Sequence, residues 1–157
     1  MLATPNSNID DFASLMVLSG LMTFTYLLPS IREKGGAYGA GCSANESGTF
    51  TFYSFRDPKI ESTYENFERA ISSVLDKDFS EQQLQEAKML TFQRLDKVLE
   101  PSLKGLQEFS RGYTDENRMK LRLRALDLTR EDVVAVTEKY LIKAIEKGET
   151  SRVVFGS

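Results

Sequence analysis

Histidine is absent from this 157-residue chain, and cysteine occurs once, as Cys42. Without histidine there is no Ser-His-Asp or Cys-His catalysis, and a single thiol leaves no ordinary zinc site. One cysteine also excludes an internal disulfide and leaves the redox compartment open. Positive charge is not in excess either. The net charge of −3 argues against nucleic acid as the main partner. No basic, cleavable presequence opens the chain, and the abrupt start at Met1-Leu2-Ala3-Thr4-Pro5 suggests a fragment. No internal repeat, linker or low-complexity segment interrupts it. What is present is ordinary for a soluble globular chain: 41% hydrophobic and 27% charged residues. The length suits one domain with a real core.

Charge is also missing locally, from Phe12 to Ile31. That run is long enough to raise a membrane span. Ser14, Ser19, Gly20, Thr23 and Thr25 dilute it, so a helix buried on most sides and lying across a sheet is the preferred reading. Asn8 suits its N-cap, with Asp10 and Asp11 in the first turn. Pro29 cannot donate to a carbonyl four residues back, which predicts a kink or break before Arg32.

The next stretch, Ile31–Pro58, organises the rest. Gly35-Gly36 permits backbone angles closed to other residues and ends the helix coming from Arg32. Tyr38 then starts an extended run, Asn45-Glu46-Ser47-Gly48 is a turn by composition, and Thr49–Phe55 alternates as a strand. Arg32 and Tyr38 are thereby delivered to the start of a hairpin.

Helices follow. Ser62-Thr63-Tyr64-Glu65 and Ser80-Glu81-Gln82-Gln83 read as capping boxes. Pro101 suits the first turn of a further helix carrying Leu103, Leu106 and Phe109 and ending near Gly112. Thr114 or Asp115 caps another, and Thr129–Asp132 caps the last, which Gly148 stops. Ser151–Phe155 reads as a final strand. The expected fold is α+β, with about six helices packed mainly on one face of an antiparallel sheet. Its strands are expected at roughly 37–46, 48–56 and 151–155.

The run Arg32-Glu33-Lys34-Gly35-Gly36-Ala37-Tyr38-Gly39, followed by Phe52-Tyr53-Ser54-Phe55-Arg56-Asp57-Pro58, resembles the C-terminal half of presequence proteases. These belong to the branch of the insulinase/pitrilysin-like zinc metallopeptidases that also contains falcilysin. The resemblance extends to about Phe155. It implies that residues 1–157 are one C-terminal, substrate-closing domain of a larger clamshell peptidase, incomplete at its N-terminus. Zinc would be a cofactor of the parent's N-terminal half, with none held by this fragment. The H-x-x-E-H motif that would bind it is absent. The implied partners are a peptide substrate and that N-terminal half, with no nucleic acid and no membrane span. The implied location is the mitochondrial matrix or another organelle. The isolated chain is expected to be inactive and to self-associate through an uncovered sheet edge. The lead-in Leu28-Pro29-Ser30 is less polar than the resemblance implies.

Carried onto this chain, the resemblance makes Tyr38 and Arg32 the catalytic contacts, and Arg32, Tyr38, Gly36 and Ala37 the substrate-binding ones. Tyr38 would donate its hydroxyl to the developing oxyanion, and Arg32 would hold the substrate backbone or assist that charge. A plainer reading stands beside it: Arg32 answers the helix dipole and Tyr38 is a strand aromatic. The rival function is a non-catalytic structural or peptide-binding domain.

Other motifs carry less. Gly39-Ala40-Gly41-Cys42-Ser43-Ala44 has the letters of a dinucleotide fingerprint, but a turn and strand follow where a helix N-terminus is needed. Arg118–Arg124 alternates basic and apolar residues; as a helix, Met119, Leu123 and Leu126 would face inward over a solvated basic surface. Glu81, Glu86 and Asp96 read as solvated.

Overall fold

A computed structural model describes residues 2–3, 9–45, 48–96 and 115–156. The Asn8 and Thr114 caps, the Glu46-Ser47 part of the turn and the helix after Pro101 lie outside the described residues.

β1 (Leu2–Ala3) is followed by α1 (Ile9–Met22), which continues without a break into a π-helical segment, Thr23–Glu33. The hairpin β2 (Gly39–Asn45) and β3 (Thr49–Phe55) comes next. Then come α2 (Ile60–Leu75), α3 (Glu81–Leu95), α4 (Asp115–Asp127) and α5 (Arg130–Val136). A second π-helical segment (Thr137–Ile142) leads into α6 (Lys143–Glu146). The sheet is antiparallel in the order β1-β3-β2, with Gly39 opposite Phe55, Asn45 opposite Thr49 and Leu2 opposite Phe50.

The charge-free run forms the central helix. Val17, Leu18, Leu21, Met22, Leu27 and Ile31 are buried along it, and against them pack Ala40, Cys42 and Phe50 from the inner face of the sheet. Each such aliphatic side chain stabilises the fold by about 1.5–3 kcal/mol on burial. The helix Asp10–Glu33 is long and apolar enough to cross a membrane, but most of that apolar window is buried inside the protein. Phe52 extends the core towards α2, with its ring 5.2 Å from that of Phe67. Tyr53 and Phe55 alternate to the opposite, exposed face.

Four expectations are corrected. The chain does not break at Pro29. The helix widens instead, ending with Lys34 N–H on Pro29 O at 3.1 Å. A wider turn relieves the clash of the proline ring with the carbonyl four residues back and leaves one fewer donor to supply. The third strand is Leu2–Ala3, not Ser151–Phe155; the latter is exposed and forms no ladder, with only an isolated bridge at Thr150 before it. The capping box at Ser62 is replaced: α2 starts earlier, at Ile60, and Ser62 Oγ donates back to Lys59 O. Finally, α4 turns Leu121 and Ala125 inward, with Leu128 buried just past its end, and leaves Met119, Leu123 and Leu126 exposed. Both rows keep helical spacing, so periodicity alone does not choose between them. The small Ala125 permits close approach, and this orientation lets Arg122 pair with Asp96 and Arg124 with Asp132.

The capping boxes at Ser80–Gln83 and Thr129–Asp132 are both formed. Gly148, at φ 69°, ends the last helix.

Candidate substrate-facing site

The π-helical segment delivers Arg32 in its last turn, and the way it ends decides where Tyr38 goes. Gly36 N–H donates to Arg32 O at 3.0 Å, and Ala37 N–H reaches around it to Ile31 O at 3.1 Å. This is a nested pair of the Schellman kind, each bond one residue longer than usual because the helix it terminates is wider. A side chain at Gly35 would place its Cβ 2.3 Å from Ile31 O, and Gly36 sits at φ 86°. Both positions therefore require glycine.

The hairpin holds the other end. Tyr38 N–H donates to Phe55 O at 3.0 Å, one step beyond the Gly39–Phe55 pair. The Tyr38 and Phe55 rings meet edge to face with centroids 5.9 Å apart. Arg56 follows at φ 49°, a left-handed conformation uncommon for a residue with a side chain. Its guanidinium carbon lies 5.6 Å from the Tyr38 ring centroid and 5.6 Å from that of Phe55.

Asp57 then binds the start of α2, accepting from Lys59 N–H at 2.8 Å and from Thr63 Oγ1 at 2.5 Å. Burial pushes its carboxyl up, but bonds from Thr63, Lys59 N–H and Ser54 outweigh this and hold it below the ordinary carboxylate value. Pro58 approaches the bare face of Gly36, its Cγ 3.8 Å from where a Cβ would stand. The two separate sequence motifs thus form one structural unit.

Within that unit Tyr38 is 68% exposed, and among the described residues nothing hydrogen-bonds its hydroxyl. The Arg32 side chain is exposed and likewise has no ion pair among the described residues. Gly36 is exposed, whereas Ala37 turns its methyl into the core and commits its N–H to Ile31.

Residues 4–157 match the family described as the PreP C-terminal domain. The chain belongs to that family. It is 40% identical over 131 residues to the mitochondrial presequence protease of Xenopus tropicalis, covering 83% of this chain and 13% of that protein. Against the corresponding protein of Yarrowia lipolytica it is 41% identical over 133 residues, 84% of this chain and 13% of the relative. With that of Gibberella zeae the identity is 39% over 144 residues, 91% and 14%. The chain spans about 13% of the length of the curated relatives it matches.

Other motifs singled out in the sequence have structural explanations. Gly39–Ala44 lies wholly in β2, and no helix N-terminus follows it. Gly41 instead leaves room for Tyr53, whose hydroxyl would be 2.8 Å from a Cβ there. Three of the four basic residues of α4 are paired within the chain: Lys120 with Glu116, Arg122 with Asp96, and Arg124 with Asp132. Among the described residues no cluster of three His, Cys, Asp or Glu could hold a metal ion.

Sequence reasoning missed Phe55, Arg56 and Asp57 as parts of the site. The signal available was position: three residues at a strand end, before a proline, opposite the residue singled out as the start of the hairpin.

Proposed function

We propose that this chain is the substrate-closing domain of a mitochondrial zinc metalloendopeptidase that degrades unfolded peptides. The observation that carries the reading is the exposed, unengaged hydroxyl of Tyr38, a residue held by a backbone bond and ring packing at the end of the turn that exposed Arg32 opens. Family membership and the names of the relatives support the reaction class. Zinc would be held in the N-terminal half of the parent protein, because the residues here do not suit it. A bound peptide would lie along Gly36 and the Ala37 carbonyl. Arg32 grips its backbone, and Tyr38 donates to the carbonyl oxygen as negative charge develops there. A donor aimed at the oxyanion acts mainly in the transition state.

The test is Tyr38→Phe in the full-length peptidase, assayed on a short unfolded peptide. The kcat should fall by about a hundredfold, the usual cost of one oxyanion donor, with folding and zinc content unchanged. Arg32→Ala should be at least as harmful and should raise KM. The isolated chain should cleave nothing. Full activity of the Tyr38→Phe enzyme would leave a non-catalytic, peptide-binding or structural domain as the function.

A further inference from the structure

Arg56 stands in a left-handed conformation that most side chains avoid, and a strained residue retained at a site points to a constraint beyond the turn itself. A glycine or asparagine would make this turn with less strain. What arginine adds is its guanidinium, which packs over Tyr38 and Phe55 at equal distance, 5.6 Å from each centroid. Phe55 adds a second ring contact, edge to face with Tyr38. Among the described residues the tyrosine is otherwise hydrogen-bonded through its backbone alone, by the bond from its N–H to Phe55 O. A ring this exposed would sample several rotamers without lateral support.

We propose that Arg56 is a positioning residue for Tyr38: its guanidinium, seated on the Tyr38 and Phe55 rings, holds the phenol in the single rotamer that points its hydroxyl at a bound peptide. The left-handed backbone aims the Arg56 side chain back over the hairpin end rather than along the strand direction. Attraction between a cation and an aromatic face supplies the contact, and arginine suits it better than lysine because its planar group stacks on a ring. The inference rests on the role proposed above for Tyr38, but the packing itself is independent of that role.

The experiment uses the full-length peptidase with 3-fluorotyrosine at position 38, read by fluorine NMR, together with steady-state kinetics on the unlabelled enzyme. Arg56→Asn keeps a residue that tolerates the left-handed turn and removes the guanidinium. The fluorine resonance should move or broaden, while the thermal midpoint stays within the scatter of the parent. In the unlabelled protein kcat should fall about tenfold with KM little changed, because a misplaced donor weakens the reacting geometry rather than binding. Adding Arg56→Asn to Tyr38→Phe should cost little more than Tyr38→Phe alone, since Arg56 acts through the hydroxyl already removed. Arg56→Lys should recover part of the loss.

An unchanged resonance overturns the proposal whatever the kinetics. Full activity of Arg56→Asn alongside a slow Tyr38→Phe enzyme overturns it too, as do additive losses in the double variant. A moved resonance with a fully active Tyr38→Phe enzyme separates the two roles: Arg56 positions Tyr38, and the oxyanion role of Tyr38 is what fails.

Discussion

Thr23 closes the outer edge of β2 at Cys42. The Cys42 N–H donates to Thr23 Oγ1 at 3.1 Å, and the same hydroxyl lies 3.5 Å from Cys42 O. The thiol donates inward to Ser19 O at 3.3 Å. The helix segment that carries Arg32 is thus bonded to the strand that starts beside Tyr38. An edge strand left open would be a template for pairing with another chain, and this contact blocks it at its middle.

The first prediction follows from that contact. Burial pushes the Cys42 thiol up to about 12, against opposing effects from the Thr23 bond and the Arg94 charge. The thiol should therefore resist alkylation in the native protein and react only as fast as the chain opens. The fold favours the neutral thiol, so this stabilisation is fully present below the ordinary value of 9.0 and is lost as pH rises through about 12. Thr23→Val strands the Cys42 N–H and should cost about 1–3 kcal/mol, read from the denaturant midpoint. A variant as stable as its parent would mean that the edge is satisfied some other way.

The second concerns Asp57. Burial raises its carboxyl, but the Thr63 and Lys59 bonds overcome this and hold it below the ordinary value. The stabilisation it provides is present above the unfolded carboxylate value and disappears as pH falls through the lowered one. Asp57→Asn should cost about 0.5–2 kcal/mol at neutral pH, as loss of a helix cap does, and should flatten the acid limb of the stability curve. An acid limb identical to that of the parent would assign the lability to other carboxylates. Asp11 is one: burial raises it, but bonds from Lys139 and Tyr140 hold it low.

The third concerns association. Met119, Leu123 and Leu126 form an exposed row on α4. Phe24 and Met89 are exposed beside a groove of ≈ 460 Å³ between the central helix and α3. A chain that spans about 13% of its relatives' length should bury such surfaces against itself when isolated. Sedimentation should show concentration-dependent self-association, and Leu123→Lys should shift it towards monomer. A clean monomer at high concentration would contradict this.

Much of the fold was legible because its signals are local. The Gly35-Gly36 stop, the hairpin alternation, the capping box at Ser80 and the cap at Thr129 each depend on a few adjacent residues. The capping box at Ser62 failed because the helix starts before it: Asp57, outside the four-residue pattern, accepts from Lys59 N–H and Thr63 Oγ1, and Ser62 lies inside α2 with its hydroxyl on Lys59 O. The strand read at Ser151–Phe155 failed because β-propensity describes a residue suited to a sheet, not a sheet with room for it.

The sequence by itself determined that this chain brings no histidine and one thiol, that a glycine pair ends the central helix, and that Arg32 and Tyr38 flank that ending. These follow from residue chemistry and from backbone angles that only glycine adopts. Only the tertiary structure decided that the helix would widen at Pro29 rather than break, since that depends on the buried Leu27 and Ile31 staying in the core. It also decided which apolar row of α4 turned inward, because two rows of equal spacing differ only in what they meet. The placement of Arg56 over Tyr38 was decided there as well. Residues 38 and 56 are far apart along the chain, and only the register that sets Gly39 opposite Phe55 brings cation and ring together.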